Sequence, residues 1–323
     1  MQTAITASPQ IVRDYSRLFI NRGAYTLQSS WPHPDSERHY YFRPRVKGTG
    51  KELSLTAATI RRHLEGEITI GLYAINPSTQ RSKWVAIDAD YDGAMEDLLK
   101  LQYFLQEDKV GAALEMSKRG GHLWILMERP AMARECRIYI YTLALTLGVR
   151  IRGTGLAQGI EVFPKQDELR EGEFGSAMRG PLGIHRGANR RYWFYGADYN
   201  LEKQIAYLNR LRKLSEKQLQ GFIEGKAMPS EFDRKRPSPD QAAPLVRASG
   251  HEFQILEHVG KGRKVGRNYV TQCPSCAEAG QDRTGDNLAI SIEDPRKYIC
   301  WAGCTKEMIR RAVGCAIPVR QSV

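Results

Sequence analysis

The sequence predicts an α+β protein: an antiparallel or mixed sheet flanked by helices, then a linker and a small cysteine-bearing module. Three observations carry that expectation. Helical and strand periodicities interleave over the first 222 residues as hairpin-like strand pairs with intervening helices, unlike the regular alternation of a doubly wound parallel fold. Residues 225–250 hold four prolines, few large apolar side chains and a basic triplet at 234–236, a linker composition. Beyond them, four of the six cysteines fall in two short pairs.

The elements follow in chain order. Residues 9–20 repeat apolar side chains at helical spacing, and residues 55–66 form a second helix stopped by Gly66. Residues 68–75, "ITIGLYAI", are β-rich, and residues 82–90, "SKWVAIDAD", read as a strand. A helix is expected over 94–106, strands over 111–117 and 122–127, and a longer helix over 131–148 closed by Gly148. Strands are expected at 159–164 and 180–185. Residues 201–222 read as one amphipathic helix, with Leu201, Ile205, Leu208, Leu211, Leu219 and Phe222 toward one side. It closes a first domain of residues 1–224; residues 251–323 form the last.

Composition narrows the function classes. A chain of 323 residues with 41% hydrophobic content can bury a real core. Its net charge of +12 points to an acidic partner, nucleic acid or nucleotides ahead of a membrane. The N-terminus lacks a basic-then-apolar leader, and the longest apolar run is too short to span a bilayer, so a cytoplasmic protein is expected.

The cysteines form the sharpest motif: Cys273 and Cys276, then Cys300 and Cys304 after 23 intervening residues. Two such knuckles of thiolates close a tetrahedral shell around Zn²⁺. The segment between them alternates like a strand pair joined at Asp294 and Pro295, so the metal would staple a small β-ribbon. Cys136 and Cys315 have no such spacing and read as buried or incidental thiols. Lys261 to Arg267, with Arg283, Arg296 and Lys297, offer cations for phosphates, and Trp301 and Tyr298 offer stacking surfaces; solvated charge and core aromatics explain the same residues.

Four further stretches carry polar residues where a strand should be apolar. In "WVAIDADYDG", Asp88 and Asp90 share one face of a strand, two carboxylates that need a cation between or beside them. A divalent metal on oxygen ligands is the commonest such cation. In "EMSKRGGHLWIL", Ser117, Lys118 and Arg119 precede two glycines and His122, donors suited to phosphate oxygens; a hairpin turn with a satisfied histidine fits equally. Glu161 interrupts the apolar strand "GIEVFP", with Lys165 and Gln166 just past its end; an outward-facing strand position also accounts for it. "GPLGIHRGANRRYWF" sets His185 and Arg186 beyond a short strand, where a basic surface hairpin is the plain alternative.

In this order, the Asp-x-Asp strand, the Ser-x-x-Gly-Gly-His hairpin, the Glu strand with Pro-Lys-Gln and Leu-Gly-Ile-His-Arg resemble the archaeo-eukaryotic primase superfamily. Within it they resemble the bacterial primase-polymerases of mobile elements, conflict systems and CRISPR loci. The resemblance covers roughly residues 50–195, and "HLEGEITIGLYAI" upstream matches the segment that leads into the acidic strand. Separately, "CPSC" and "YICWAGC" resemble the zinc-ribbon of primases, with Cys276 where many ribbons carry a histidine.

The resemblance implies a mixed or antiparallel RRM-like sheet with flanking helices and an N-terminal α/β module. It implies primer synthesis and extension on a single-stranded DNA template from NTPs or dNTPs. Asp88, Asp90 and Glu161 would ligate two Mg²⁺ or Mn²⁺ ions, and His122 would grip the incoming triphosphate. Ser117, Lys118 and Arg119 would assist, with Lys165 and Arg186 neutralising phosphate charge. Helicase, replication or CRISPR proteins are the partners it suggests. Two rivals use the same features: a metal-dependent nuclease with the same carboxylates, and a non-catalytic zinc-ribbon replication protein.

Overall fold

A computed structural model describes residues 5–32, 39–46, 49–152, 158–170, 172–230, 232, 253, 255–280, 282 and 285–315. Most of the expected linker, and Arg283, lie outside the described residues. The chain divides into two compact units, residues 1–235 and 236–323.

The first unit opens with α1 (Pro9–Phe19), where Pro9 begins the helix and Ser8 Oγ accepts from the Ile11 amide. β1 (Tyr25–Gln28), β2 (Tyr41–Phe42), α2 (Ala57–Glu65) and β3 (Ile70–Tyr73) follow, then β4 (Arg81–Ala89), α3 (Ala94–Glu107), β5 (Ala112–Met116) and β6 (Gly121–Met132). Next come α4 (Ala133–Thr146), β7 (Glu161–Phe163), β8 (Ala177–Arg179), β9 (Ile184–His185), β10 (Arg190–Arg191), α5 (Leu201–Arg210) and α6 (Glu216–Ile223). The named strands pair antiparallel throughout, in a central sheet ordered β5-β6-β4-β7 and a second ordered β2-β1-β3-β8.

Burial on both faces explains why β4 reads as a nearly continuous apolar run. Val85, Ile87 and Ala89 pack with Leu98, Leu101 and Leu105 of α3 and Ile140 of α4. Trp84 and Ala86 face the opposite core, shared with Tyr15 and Phe19 of α1, Leu64 of α2 and Ile70 of β3. The central sheet is therefore the middle layer of the unit.

Two sequence expectations are corrected. The helix expected over 201–222 is two helices, α5 and α6, because the backbone between them is used elsewhere. Leu214 donates to Leu126 O and accepts from the Glu128 amide, at 2.9 Å each, pairing with the part of β6 that runs past β5. Satisfying those sheet groups outweighs continuing a helix. Ser215 then restarts the helix with a capping box to Gln218. Leu201, Ile205 and Leu208 accordingly lie in one core and Leu219 in the other. The strand expected over 180–185 is confined to Ile184–His185, with β8 placed just before it.

The second unit holds β11 (Arg263–Val265), β12 (Asn268–Thr271), α7 (Pro274–Glu278), β13 (Leu288–Ser291), β14 (Tyr298–Cys300) and α8 (Lys306–Ala312). Its four strands form an antiparallel sheet in chain order, and β13 and β14 are the strand pair expected between the cysteine knuckles. Ile255, Leu288, Ile290 and Ile309 pack with the buried cysteines as its core. Among the described residues no helix is long and apolar enough to cross a membrane.

Candidate active site

Register assembles the site. Glu115 of β5 pairs with His122 of β6, His122 with Asp88 of β4, and Asp88 with Glu161 of β7. Directly opposed residues of antiparallel strands share a face, so these four polar side chains form one row across the sheet. The same face is apolar one step along, at Trp124, Ala86 and Phe163. The run "WVAID" thus turns acidic where its strand leaves the core.

The inner half of the row is buried. Glu115 Oε1 accepts from His122 Nδ1 at 2.8 Å, Trp124 Nε1 at 3.2 Å and Arg179 Nη2 at 3.2 Å. Arg179 comes from β8, so this carboxylate joins the two sheets. Burial alone would push the Glu115 carboxyl up, yet Arg179 and His122 hold it below its usual range. Burial would likewise discharge His122, but Asp88 and Glu115 outweigh it and raise the imidazole to about 9. His122 is a cation wedged between two carboxylates.

Asp90 follows β4 and is met by the hairpin. Ser117 Oγ donates to its Oδ1 at 3.1 Å, and Arg119 Nη2 lies 2.5 Å from its Oδ2. The hairpin comes this close because of Gly120: a Cβ there would stand 2.0 Å from Ala89 O. Glu161 is paired with both Arg152 and Lys165, which overcome partial burial and hold its carboxyl below the usual range.

Each carboxylate thus has its own cation: His122 on Asp88, Arg119 on Asp90, Arg152 and Lys165 on Glu161. Among the described residues, only the four cysteines converge as three or more His, Cys, Asp or Glu ligand atoms within 4.8 Å of one another. The donor set nevertheless fits a hard divalent cation. His122 Nε2 lies 3.4 Å from Asp88 Oδ1 but out of hydrogen-bonding geometry, leaving this buried oxygen without a hydrogen-bond partner. The cations on Asp90 and Glu161 end long side chains reaching in from solvent, Arg119 being 71% exposed, so both carboxylates can be released.

The remaining expected residues lie aside from this row. Lys118 Nζ reaches Gly187 O at 3.5 Å, and Arg186 Nη2 donates to Gly66 O at 2.9 Å. Sequence reasoning missed Glu115, Arg152 and Arg179 as members of the site. The hairpin itself contained the signal for Glu115, since a turn over 117–120 sets residue 115 opposite residue 122. No local pattern marks Arg152 or Arg179.

In the second unit Cys273, Cys276, Cys300 and Cys304 bring their sulfurs within 4.8 Å of one another, a thiolate set that fits Zn²⁺. Cys276 Sγ lies 3.5 Å from Cys300 Sγ and 3.3 Å from Cys304 Sγ. Trp301 is exposed, whereas Tyr298 packs against the core with Lys306 Nζ 4.9 Å from its ring centroid. Cys136 is buried, which pushes its thiol up to about 12, and Cys315 lies near His258, 3.9 Å from its Nε2.

Comparison with known proteins returns a family described as "TOTE conflict system, Archaeo-Eukaryotic Primase domain", matched over residues 30–222. Two solved structures are also similar. One is the polymerase domain from Mycobacterium tuberculosis Ligase D in complex with DNA, 12% identical, covering 67% of this chain and 88% of that one, with a TM-score of 0.28. The other is the catalytic domain of primase Repb' in complex with initiator DNA, 10% identical, covering 63% and 94%, with a TM-score of 0.31. No curated protein matches the chain.

Proposed function

Because this chain belongs to the archaeo-eukaryotic primase domain family of TOTE conflict systems, we propose that it is a template-directed nucleotidyl transferase that makes primers de novo and extends them on single-stranded DNA. Residues 1–224 act as the catalytic domain, 225–250 as a linker and 251–323 as a zinc-binding module. What carries this reading is the cross-strand row of Asp88, His122 and Glu161, with Asp90 at its open end.

In this reading Asp88, Asp90 and Glu161 hold two Mg²⁺ or Mn²⁺ ions, which when bound lower the pKa of the attacking hydroxyl and stabilise the leaving pyrophosphate. The chain's own cations do the rest. His122, fixed by Glu115 and Asp88, presents positive charge to the triphosphate of an NTP or dNTP without reorganising. Arg119 and Lys165, on side chains long enough to leave Asp90 and Glu161, would offer their charge to phosphate oxygens, with Ser117, Lys118 and Arg186 adding donors at the rim.

Starting a primer requires two nucleotides to be held together before any duplex exists. The zinc-binding module, tethered by the linker, supplies a second grip at high effective concentration. Its four cysteines fit a structural Zn²⁺.

The test is a primer-synthesis assay on unprimed single-stranded DNA with labelled NTPs or dNTPs and Mg²⁺ or Mn²⁺, comparing wild type with Asp88→Ala/Asp90→Ala. Products of several nucleotides from wild type alone are expected. Extension of an annealed primer without initiation would reduce the reading to a polymerase. Cleavage of the template without incorporation would assign the carboxylates to a nuclease instead.

A further inference from the structure

Several large aromatic side chains of the first unit are exposed, Tyr103, Phe104, Tyr195 and Tyr199 among them, and one group gathers about a sheet edge. Trp84 and Trp124 are fully buried, whereas Trp31 is 82% exposed and Tyr40, Tyr41 and Phe42 are 50%, 43% and 42% exposed. Three of the four are consecutive, leading into and forming β2, the outermost strand of the second sheet. Scattered exposed apolar residues are ordinary, but a contiguous run of large rings marks a binding surface.

The rings are arranged on both sides of this edge. Tyr40 and Phe42 share one side, with centroids 6.0 Å apart. Tyr41 takes the other, its ring over Gly71, where a Cβ would lie 3.4 Å from Tyr41 Cδ1. Gly71 pairs with Arg179, and Arg179 holds Glu115. Tyr41 is therefore tied, through Gly71 and the buried Arg179, to Glu115, the partner of His122.

Charge selects the partner. Residues 39–46 contain no carboxylate and include His39, Arg43 and Arg45, with Arg43 paired to Glu52 at 2.8 Å and Asp35 and Glu37 preceding them in sequence. His39 also packs toward Gly187, the residue whose carbonyl Lys118 reaches. Rings interleaved with cations suit a chain of bases on a phosphate backbone, because every base has a face to stack. We propose that this β2 edge, through Tyr40, Tyr41 and Phe42 and with Trp31 exposed just past β1, binds the bases of single-stranded DNA. The inference rests on the nucleotidyl-transfer reading and adds a template-binding surface to it.

The test measures binding of the full chain to a labelled oligo-dT and to a base-free oligomer with the same phosphate backbone, by fluorescence anisotropy. Wild type should bind oligo-dT at least tenfold more tightly than the base-free oligomer. Tyr40→Ala/Phe42→Ala should weaken oligo-dT binding roughly tenfold or more and narrow that gap. Tyr40→Phe/Phe42→Tyr, which keeps both rings, should retain wild-type affinity. Thermal melting checks that each variant is folded, and Trp31→Ala, at the most exposed position, gives a second variant if the double substitution unfolds. Wild-type affinity in a folded ring-deleted variant, or equal wild-type affinity for both oligomers, would overturn the inference while leaving the primer-synthesis result untouched. Failure of wild type to incorporate nucleotides would instead remove the underlying reading, whatever the binding result.

Discussion

Glu115 and His122 face each other across the β5–β6 hairpin with 2.8 Å between Oε1 and Nδ1, and Arg179 from the second sheet closes on the same oxygen. The arrangement fixes the imidazole and ties two layers together through one buried carboxylate. Glu115→Ala would leave Arg179 buried without its counter-charge. Breaking a buried pair on one side costs about 3–5 kcal/mol. Urea unfolding should show a loss of that order; a loss within error of zero would mean that water already serves Arg179.

Asp88 makes no hydrogen bond through its buried Oδ1, so the isosteric asparagine breaks none at that oxygen, and Glu115 remains to hold His122. Asp88→Asn should therefore leave the melting temperature within a few degrees of wild type. Nucleotide incorporation should fall roughly a hundredfold or more, as expected when a charge-stabilising group is removed from an active site. A variant that keeps wild-type incorporation would move the metal site away from β4.

The four cysteines predict a separable zinc function. Cys273→Ser/Cys276→Ser removes two of the four thiolates that converge in the second unit. Purified wild type should release stoichiometric zinc to a chromophoric chelator, and the variant none. Unprimed synthesis should be lost while extension of an annealed primer persists; equal loss of both activities would argue against a dedicated role in initiation.

His63 gives a pH dependence with a definite sign. It is fully buried, donating from Nε2 to Pro181 O at 3.1 Å and accepting the Ile70 amide on Nδ1 at 3.3 Å. Burial lowers its pKa to about 3. Above pH 6.5 the residue is neutral both folded and unfolded and adds no pH dependence. Below that, the unfolded chain binds the proton and the folded chain does not, so stability falls by up to about 1.4 kcal/mol per pH unit. Denaturant midpoints for wild type and His63→Gln between pH 7 and pH 4.5 should diverge accordingly; parallel curves would place the acid sensitivity elsewhere.

The loop beside His63 is equally constrained. A Cβ on Gly183 would fall 1.9 Å from His63 Cε1, a distance at which something must move. Gly183→Ala should destabilise by about 1–3 kcal/mol through overpacking. Thermal denaturation measures it, and a neutral result would mean that the imidazole turns aside freely.

Ser215 marks the break between α5 and α6. Its Oγ accepts from the Gln218 amide at 3.2 Å, and Gln218 Oε1 accepts from the Ser215 amide at 3.2 Å. Ser215→Ala should cost about 1 kcal/mol in chemical denaturation. No change would show that the pairing of Leu214 with β6 alone fixes the start of α6.

Much of the fold was legible because its signals are local. The two-residue period of β4, the glycines of the hairpin before His122, the carboxylate in β7 and the spacing of the four cysteines each depend on neighbours along the chain. They were sufficient to place the α+β architecture and the strand pair within the cysteine module. The helix break at Leu211–Ser215 was not legible from hydrophobic spacing, because it depends on the unpaired length of β6, a strand far away in sequence. Arg179 and Arg152 were also hidden. An arginine shows no pattern until register decides which carboxylate it meets.

By itself, therefore, the sequence determined which residue types alternate, where glycine relieves crowding and which thiolates share a short loop, since these follow from backbone geometry within a few residues. Only the tertiary structure decided that Glu115, His122, Asp88 and Glu161 form one row, that each carboxylate takes its own cation, and that Arg179 crosses between sheets. The reason is physical: ion pairs form wherever strand register and layer packing bring charges within a few ångströms, at any separation along the chain.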